Sequence, residues 1–158
     1  MRGTSKYKKK LVQPDKKYGS TSVSKFINYI MERGKKTIAE EIVYSSLEEA
    51  SKKLKKEPIE IFTSVISAVA PQVEVRSRRI GGANYQVPIE VKEPRRTALA
   101  MRWIIGAAKS KKGMPMHQRL ALEYQDIMSG TGSAMKKKED THKMAEANRA
   151  FAHFAKMR

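Results

Sequence analysis

The chain has no cysteine, which removes disulfides and thiolate metal sites together and fits a reducing cytoplasm. It also lacks any apolar run near the ~20 residues of a membrane-spanning helix, and its first residues lack the apolar core of a signal peptide. The basic start, free of acids until Asp15, has the charge of a transit sequence but little arginine and no amphipathic pattern. Catalytic motifs are missing too. No serine stands in a G-x-S-x-G elbow, no G-x-G-x-x-G offers a dinucleotide cradle, and Ser129–Ser133 lacks the Lys-Thr ending of a P-loop. His117, His142 and His153 lie outside any H-E-x-x-H, and Glu139 with His142 three positions on reads as a helix-surface pair. The expectation is a protein that is not an enzyme and carries no cofactor and no metal.

Acids are the other scarcity. Across 158 residues, 33 Lys and Arg face 16 Asp and Glu, for a net charge of +17. Such a field attracts phosphate polymers, so nucleic acid is the expected partner and membrane is not. The charge is unevenly placed. Residues 1–18 carry seven basic side chains against one acid, residues 19–70 eight against seven, residues 71–112 ten against three, and residues 113–158 eight against five. A near-neutral block flanked by basic ones implies a binding face rather than uniform solubilisation.

The length suits one domain with a modest core. Residues 1–17 hold Arg2, Lys6, Lys8, Lys9, Lys10, Lys16 and Lys17 with few aliphatics. They are expected to be a disordered basic arm that orders on binding, or else a solvated tail. A helical domain over 18–158 follows. In Tyr18–Lys36, Gly-Ser-Thr-Ser offers N-caps, Val23, Phe26, Ile27, Ile30 and Met31 take helical spacing, and Gly34 ends the helix with Lys35 and Lys36 at its C-terminal end. Thr37 caps a second helix with Ala39, Val43, Leu47 (or Ser46), Ala50 and Leu54 inward. Pro58 starts a third, with Ile59, Phe62, Ile66 and Val69 inward and Pro71 as its stop.

Val73–Val91, VEVRSRRIGGANYQVPIEV, is two alternating β runs joined at Gly81-Gly82-Ala83-Asn84, a hairpin signal. Val73 and Val75 are expected to share an apolar face at the base with Val87, Ile89 and Val91, with Ser77 and Arg79 further out and Arg76 and Arg78 opposite. Arginine on both faces near the tip, and Pro88 with no donor, suit an arm that projects from the body. An ordinary edge hairpin is the plainer reading. Glu93-Pro94 then starts a helix with Ala98, Met101, Ile104, Ile105 and Ala108 inward, and Arg95, Arg102 and Lys109 seven apart as a basic stripe without acids at i+4. Met114-Pro115 opens a fifth helix with Met116, Leu120, Tyr124 and Ile127 inward. Lys136–Phe154 forms the last, with Met144, Ala147, Phe151 and Phe154 as its apolar contacts. The fold class expected is mainly α: about six helices in one domain with a two-stranded hairpin arm at 73–91.

Three of these segments together resemble one family, the bacterial type of small-subunit ribosomal protein seven. They are the hairpin with Arg95–Trp103 (RRTALAMRW), YGSTSVSKFINYIMERGKK, and KKKEDTHKMAEANRAFAHF, so the resemblance runs from about Lys10 to Phe154. Ala70 departs from it, where the family commonly has arginine, and so does the ending AHFAKMR. The resemblance implies a cytoplasmic protein of the small ribosomal subunit, with six helices and an extended hairpin. It would bind the 3′ major domain of 16S-type rRNA and nucleate assembly of the subunit head. It would meet exit-site tRNA and mRNA, and contact ribosomal proteins nine, eleven, thirteen and nineteen, without needing to form a homo-oligomer. By position the implied rRNA-binding residues are Arg2, Lys8, Lys9, Lys10, Lys17, Lys35, Lys36, Arg76, Arg78, Arg95, Arg96, Arg102, Lys109 and Lys136. Arg78, Arg79, Gly81, Gly82 and Tyr85 are placed nearest tRNA and mRNA. Tyr85 either stacks on an unpaired base or packs on its own strands. The rival readings are an architectural DNA-binding protein with a basic β-arm, for which Ile80 is the sole wedge residue, and a protein–protein adaptor whose binding ignores salt.

Overall fold

Ser20 decides where the first helix begins: its hydroxyl accepts the Val23 N–H at 3.4 Å, and α1 (Thr21–Ile30) follows. The structure is a computed structural model and describes residues 11–155. Val23, Phe26, Ile27 and Ile30 are buried, at the spacing predicted for one apolar stripe. The helix stops at Ile30 rather than at Gly34, because the stripe runs out there and no further turn has a face to bury. Arg33 and Gly34, at φ +52° and +74°, then turn the chain. Helix α2 (Lys36–Leu54) therefore starts at Lys36, one residue before the expected cap Thr37. Lys35 and Lys36 sit at the N-terminal end of α2 and not, as expected, at the C-terminal end of α1.

In α2 Ala39, Val43, Ala50 and both Ser46 and Leu47 are buried, while Leu54 is only partly so. Helix α3 (Pro58–Val69) begins on proline as expected, but it buries Ile61, Phe62, Val65 and Val69. The expected Ile59 and Ile66 lie at the margin of the core. That helix has apolar residues on most of its circumference, so periodicity could not select its inner face.

Strands β1 (Val73–Ile80) and β2 (Ala83–Glu90) form the hairpin, closed by Gly81 and Gly82 at φ +57° and +88°. Two successive positive φ angles are what a two-residue hairpin turn demands. The turn is thus two residues long, not four, and this fixes the register: Ile80 pairs with Ala83, Arg78 with Tyr85, Arg76 with Val87, and Val73 with Glu90. Odd positions face even ones. The expected shared face of Val73, Val75, Val87 and Ile89 does not form. Val87 and Ile89 stand beside Arg76 and Glu74, while Val73 and Val75 stand beside Glu90 and Pro88.

Helix α4 (Arg95–Ser110) buries Ala100, Met101, Ile104, Ile105 and Ala108, with Ala98 half-buried. Helix α5 (Met116–Met128) runs through the centre and packs against α2, α3, α4 and the last long helix, α6 (Ser133–Ala147). Leu120 and Tyr124 of α5 are fully buried, and Leu120 stabilises the core by about 1.5–3 kcal/mol. The Tyr124 phenol faces Ser46 without an aligned hydrogen bond, and burial raises its pKa.

Glu123 was not visible as a core residue, yet it is fully buried. Its Oε1 accepts the Ala134 N–H at 3.0 Å, satisfying the start of α6. The Lys111 ammonium stands 3.1 Å from Oε2 as a neighbouring charge rather than an aligned hydrogen bond. Gly132 makes the approach possible, since a Cβ there would lie 2.7 Å from Ile127 Cγ1.

The chain does not continue as one helix to Phe154. It ends α6 at Ala147 and resumes as a 3-10 turn over Arg149–Ala155. Met144 is 50% exposed and Ala147 is exposed, against expectation, while Ala145 is buried in their place.

Candidate nucleic-acid interface

Opposite the apolar stripe of α1, Ser22, Lys25, Asn28 and Tyr29 recur at helical spacing and form its polar face. That face meets the start of α4. Between them lies an open groove of about 620 Å³, lined by Lys25, Asn28, Tyr29, Arg95 and Thr97 over an apolar floor that includes Met101. The Arg102 guanidinium sits 5.4 Å from the Tyr29 ring centroid, a cation–π contact. One turn-pair further, Lys109 Nζ lies 2.6 Å from Glu32 Oε1, and this hydrogen bond holds the Glu32 carboxyl below the usual range. The predicted stripe Arg95–Arg102–Lys109 is therefore real and exposed. It has no acids along its own helix, but tertiary contacts supply them.

Arg95 also reaches the hairpin. Its Nε lies 2.9 Å from both carboxylate oxygens of Glu74, and its Nη2 lies 2.8 Å from Oε2. From the next residue pair on the same strand face, Arg76 binds Glu74 Oε1 at 2.6 Å. The Glu74 side chain is only 10% exposed. Burial pushes its pKa up, and the hydrogen bonds from Arg95 and Arg76 outweigh that and leave it below the usual carboxylate range. Two arginines thus clasp one buried carboxylate and fix the hairpin base to the start of α4.

The hairpin is backed by α6 at its base and by the C-terminal turn nearer the tip. The Tyr85 ring lies 5.3 Å from Phe151 and 5.1 Å from Phe154, centroid to centroid. Tyr85 is therefore packed on protein, but on the C-terminal turn rather than on its own strands. On the same face Arg78 Nη1 donates to the Phe154 carbonyl at 3.0 Å. Arg79, on the opposite face, is exposed together with Gly81 and Gly82.

The remaining predicted residues scatter. Lys17 forms an ion pair with Glu48 and lies 5.6 and 5.4 Å from the Tyr18 and Tyr44 rings. Beside it the Asp15 carboxylate is buried and accepts the N–H groups of Tyr18 and Ser20, each at 2.8 Å, so the chain is fastened to the body from Asp15 on. Lys35 and Lys36 are exposed at the N-terminal end of α2, where the helix dipole disfavours cations and favours an anion between them. Arg96 is half-buried with its Nε unpaired, and Lys136 is exposed on the first turn of α6. Arg2, Lys8, Lys9 and Lys10 lie outside the described residues. His142 makes no pair with Glu139 in its ring contacts: its Nε2 accepts the Gln72 N–H at 3.1 Å, and burial with the Lys138 charge lowers its pKa.

Lys25, Asn28 and Tyr29 escaped the sequence reading. The signal was available, as a polar i, i+3, i+4 stripe holding a lone exposed aromatic, but nothing along the chain pairs it with Arg102.

The family model described as ribosomal protein S7p/S5e matches residues 2–149. The chain is 57% identical over 143 residues to the small ribosomal subunit protein uS7 of Thermotoga neapolitana, covering 90% of this chain and 92% of that protein. It is 58% identical over 143 residues to uS7 of Thermosipho africanus, with 90% and 92% covered. It is 54% identical over 146 residues to uS7 of Maricaulis maris, with 92% and 94% covered.

Proposed function

Since the chain belongs to the ribosomal protein S7p/S5e family, we propose that it binds the 3′ major domain of 16S-type rRNA through the α1/α4 groove and the basic surface around it. It is a structural, non-enzymatic protein of the small ribosomal subunit, as its family implies. Binding there nucleates folding of the subunit head. The hairpin tip approaches exit-site tRNA and mRNA, and ribosomal proteins nine, eleven, thirteen and nineteen are its neighbours.

The observation that carries this reading is the groove. Lys25, Arg95 and Arg102 bring three cations around an exposed aromatic ring, with Asn28 and Thr97 as polar partners. Guanidinium forks match phosphate oxygens, and lysine adds a mobile point charge. A folded RNA junction offers both phosphate clusters and unpaired bases, whereas the deep major groove of A-form RNA is closed to side chains. At the tip, Arg79 with Gly81 and Gly82 are the groups left to meet tRNA or mRNA, because Arg78 and Tyr85 are engaged with Phe154. The duplex-DNA reading has less support, since its wedge residue Ile80 is half-buried beside the turn.

The test is a salt series of binding to a small-subunit head rRNA fragment and to duplex DNA of equal length. The wild type prefers the rRNA fragment. Replacing Lys25, Arg102 and Lys109 by alanine lowers affinity about 100-fold and flattens the slope of log K against log salt by about two to three, with circular dichroism retained. Equal binding to duplex DNA, or an unchanged slope in the variant, refutes the reading.

A further inference from the structure

We infer that the α1/α4 groove takes a single unpaired nucleotide of the rRNA, its base stacked on Tyr29 and its phosphate met by Lys25. This rests on the rRNA-binding reading and specifies the ligand of that site.

A surface that only follows a phosphate backbone needs cations and nothing else. This groove has more. Tyr29 is 39% exposed, on a helix whose other aromatic, Phe26, is completely buried. Exposing a ring forfeits burial energy, and its position beside an open cavity gives the ring a use. Arg102 lies 5.4 Å from its centroid, which restrains the ring, and Tyr29 itself lines the groove. The floor is apolar, from Pro94, Ala98 and Met101, suited to the edge of a base and not to a hydrated phosphate. The rim carries Asn28, with both donor and acceptor, and the cations Lys25 and Arg95. One acid, Glu93, also lines the groove, and its carboxylate accepts the Thr97 hydroxyl at 2.7 Å. Ring, apolar floor, amide and flanking cations together form the set that recognises a splayed-out nucleotide. A paired, stacked base could not enter.

The test uses the full-length protein and a small-subunit head rRNA fragment. Ultraviolet crosslinking with peptide mapping should join Tyr29 or its neighbours to one unpaired nucleotide, and that nucleotide is then made abasic. Tyr29→Leu should weaken binding to the intact fragment about tenfold with an unchanged salt slope, whereas Tyr29→Phe stays within about twofold. On the abasic fragment Tyr29→Leu should cost nothing further. Tyr29→Leu without effect on the intact fragment overturns the inference while wild-type binding keeps the parent reading intact. A loss with a slope flattened by about one also overturns it, since Tyr29 would then only support Arg102 against a phosphate. Failure of the wild type to prefer the rRNA fragment over duplex DNA is the separate failure of the parent reading.

Discussion

The hairpin and the α1/α4 groove present the same signal in sequence, arginines that outnumber the acids around them, and use it differently. At the hairpin base Arg76 turns onto Glu74, and near the tip Arg78 turns onto Phe154. Both are committed to protein. In the groove Arg102 rests on an aromatic ring rather than a carboxylate, and Lys25 lines open space. Arg95 belongs to both regions, clasping Glu74 while lining the groove. A cation that already hydrogen-bonds a buried carboxylate has less to offer a phosphate than one over a ring. Basic density alone therefore overstates how many hairpin cations are uncommitted.

The sharpest way to break this contrast is Glu74→Ala. It strands two arginines against a vacated site and should cost about 2 kcal/mol, below the range for fully buried pairs because both arginines are half-exposed. Urea denaturation measures the loss, and rRNA binding through the groove should stay within about threefold. A larger loss of binding than of stability would mean the clasp serves the RNA directly.

Phe154→Ala comes next, at about 1 kcal/mol. It should loosen the C-terminal turn on Tyr85, which keeps its contact with Phe151, and speed hydrogen exchange at β2 amides, leaving α1 and α4 protection unchanged. Arg79→Ala and Arg78→Ala then separate free from engaged tip cations. The first should leave the melting temperature unaltered, whereas the second should lower it slightly, by about 0.5–1 kcal/mol of stability.

The pH dependence gives the smallest effects. Glu74 has its pKa held below the ordinary value, near 4.5, so the clasp contributes its full stability above that value. The contribution is lost as pH falls through the lower, folded pKa. Glu74→Ala should lack that acid limb in a stability–pH profile. His142 behaves in the same sense at higher pH. Its folded pKa is lowered from 6.5, so stability should decline as pH drops below that value, and His142→Gln should abolish the decline.

Much of the architecture was legible along the chain. Caps and prolines placed most helix starts, and single-faced apolar stripes named most buried residues of α1, α2, α4 and α5. Legibility failed where periodicity is silent. Helix α3 is apolar on most of its surface, so Ile61 and Val65 displaced Ile59 and Ile66 from the core. Glu123 was missed because a buried carboxylate cannot be told from an exposed one until Ala134 N–H and Lys111 stand beside it. The hairpin register was missed by parity alone. Half of the groove, the α4 stripe, was readable from its seven-residue repeat, and the α1 half was not.

A cysteine-free basic chain, six helices and a glycine-tipped hairpin can be read along the chain, because helix caps and β alternation act over a few residues and net charge over the whole. Which cations are committed depends on packing between distant segments. Glu74 and Arg95 are separated by 21 positions, and Arg78 and Phe154 by 76. Whether a guanidinium meets a carboxylate, a carbonyl, a ring or solvent is fixed by packing across those distances.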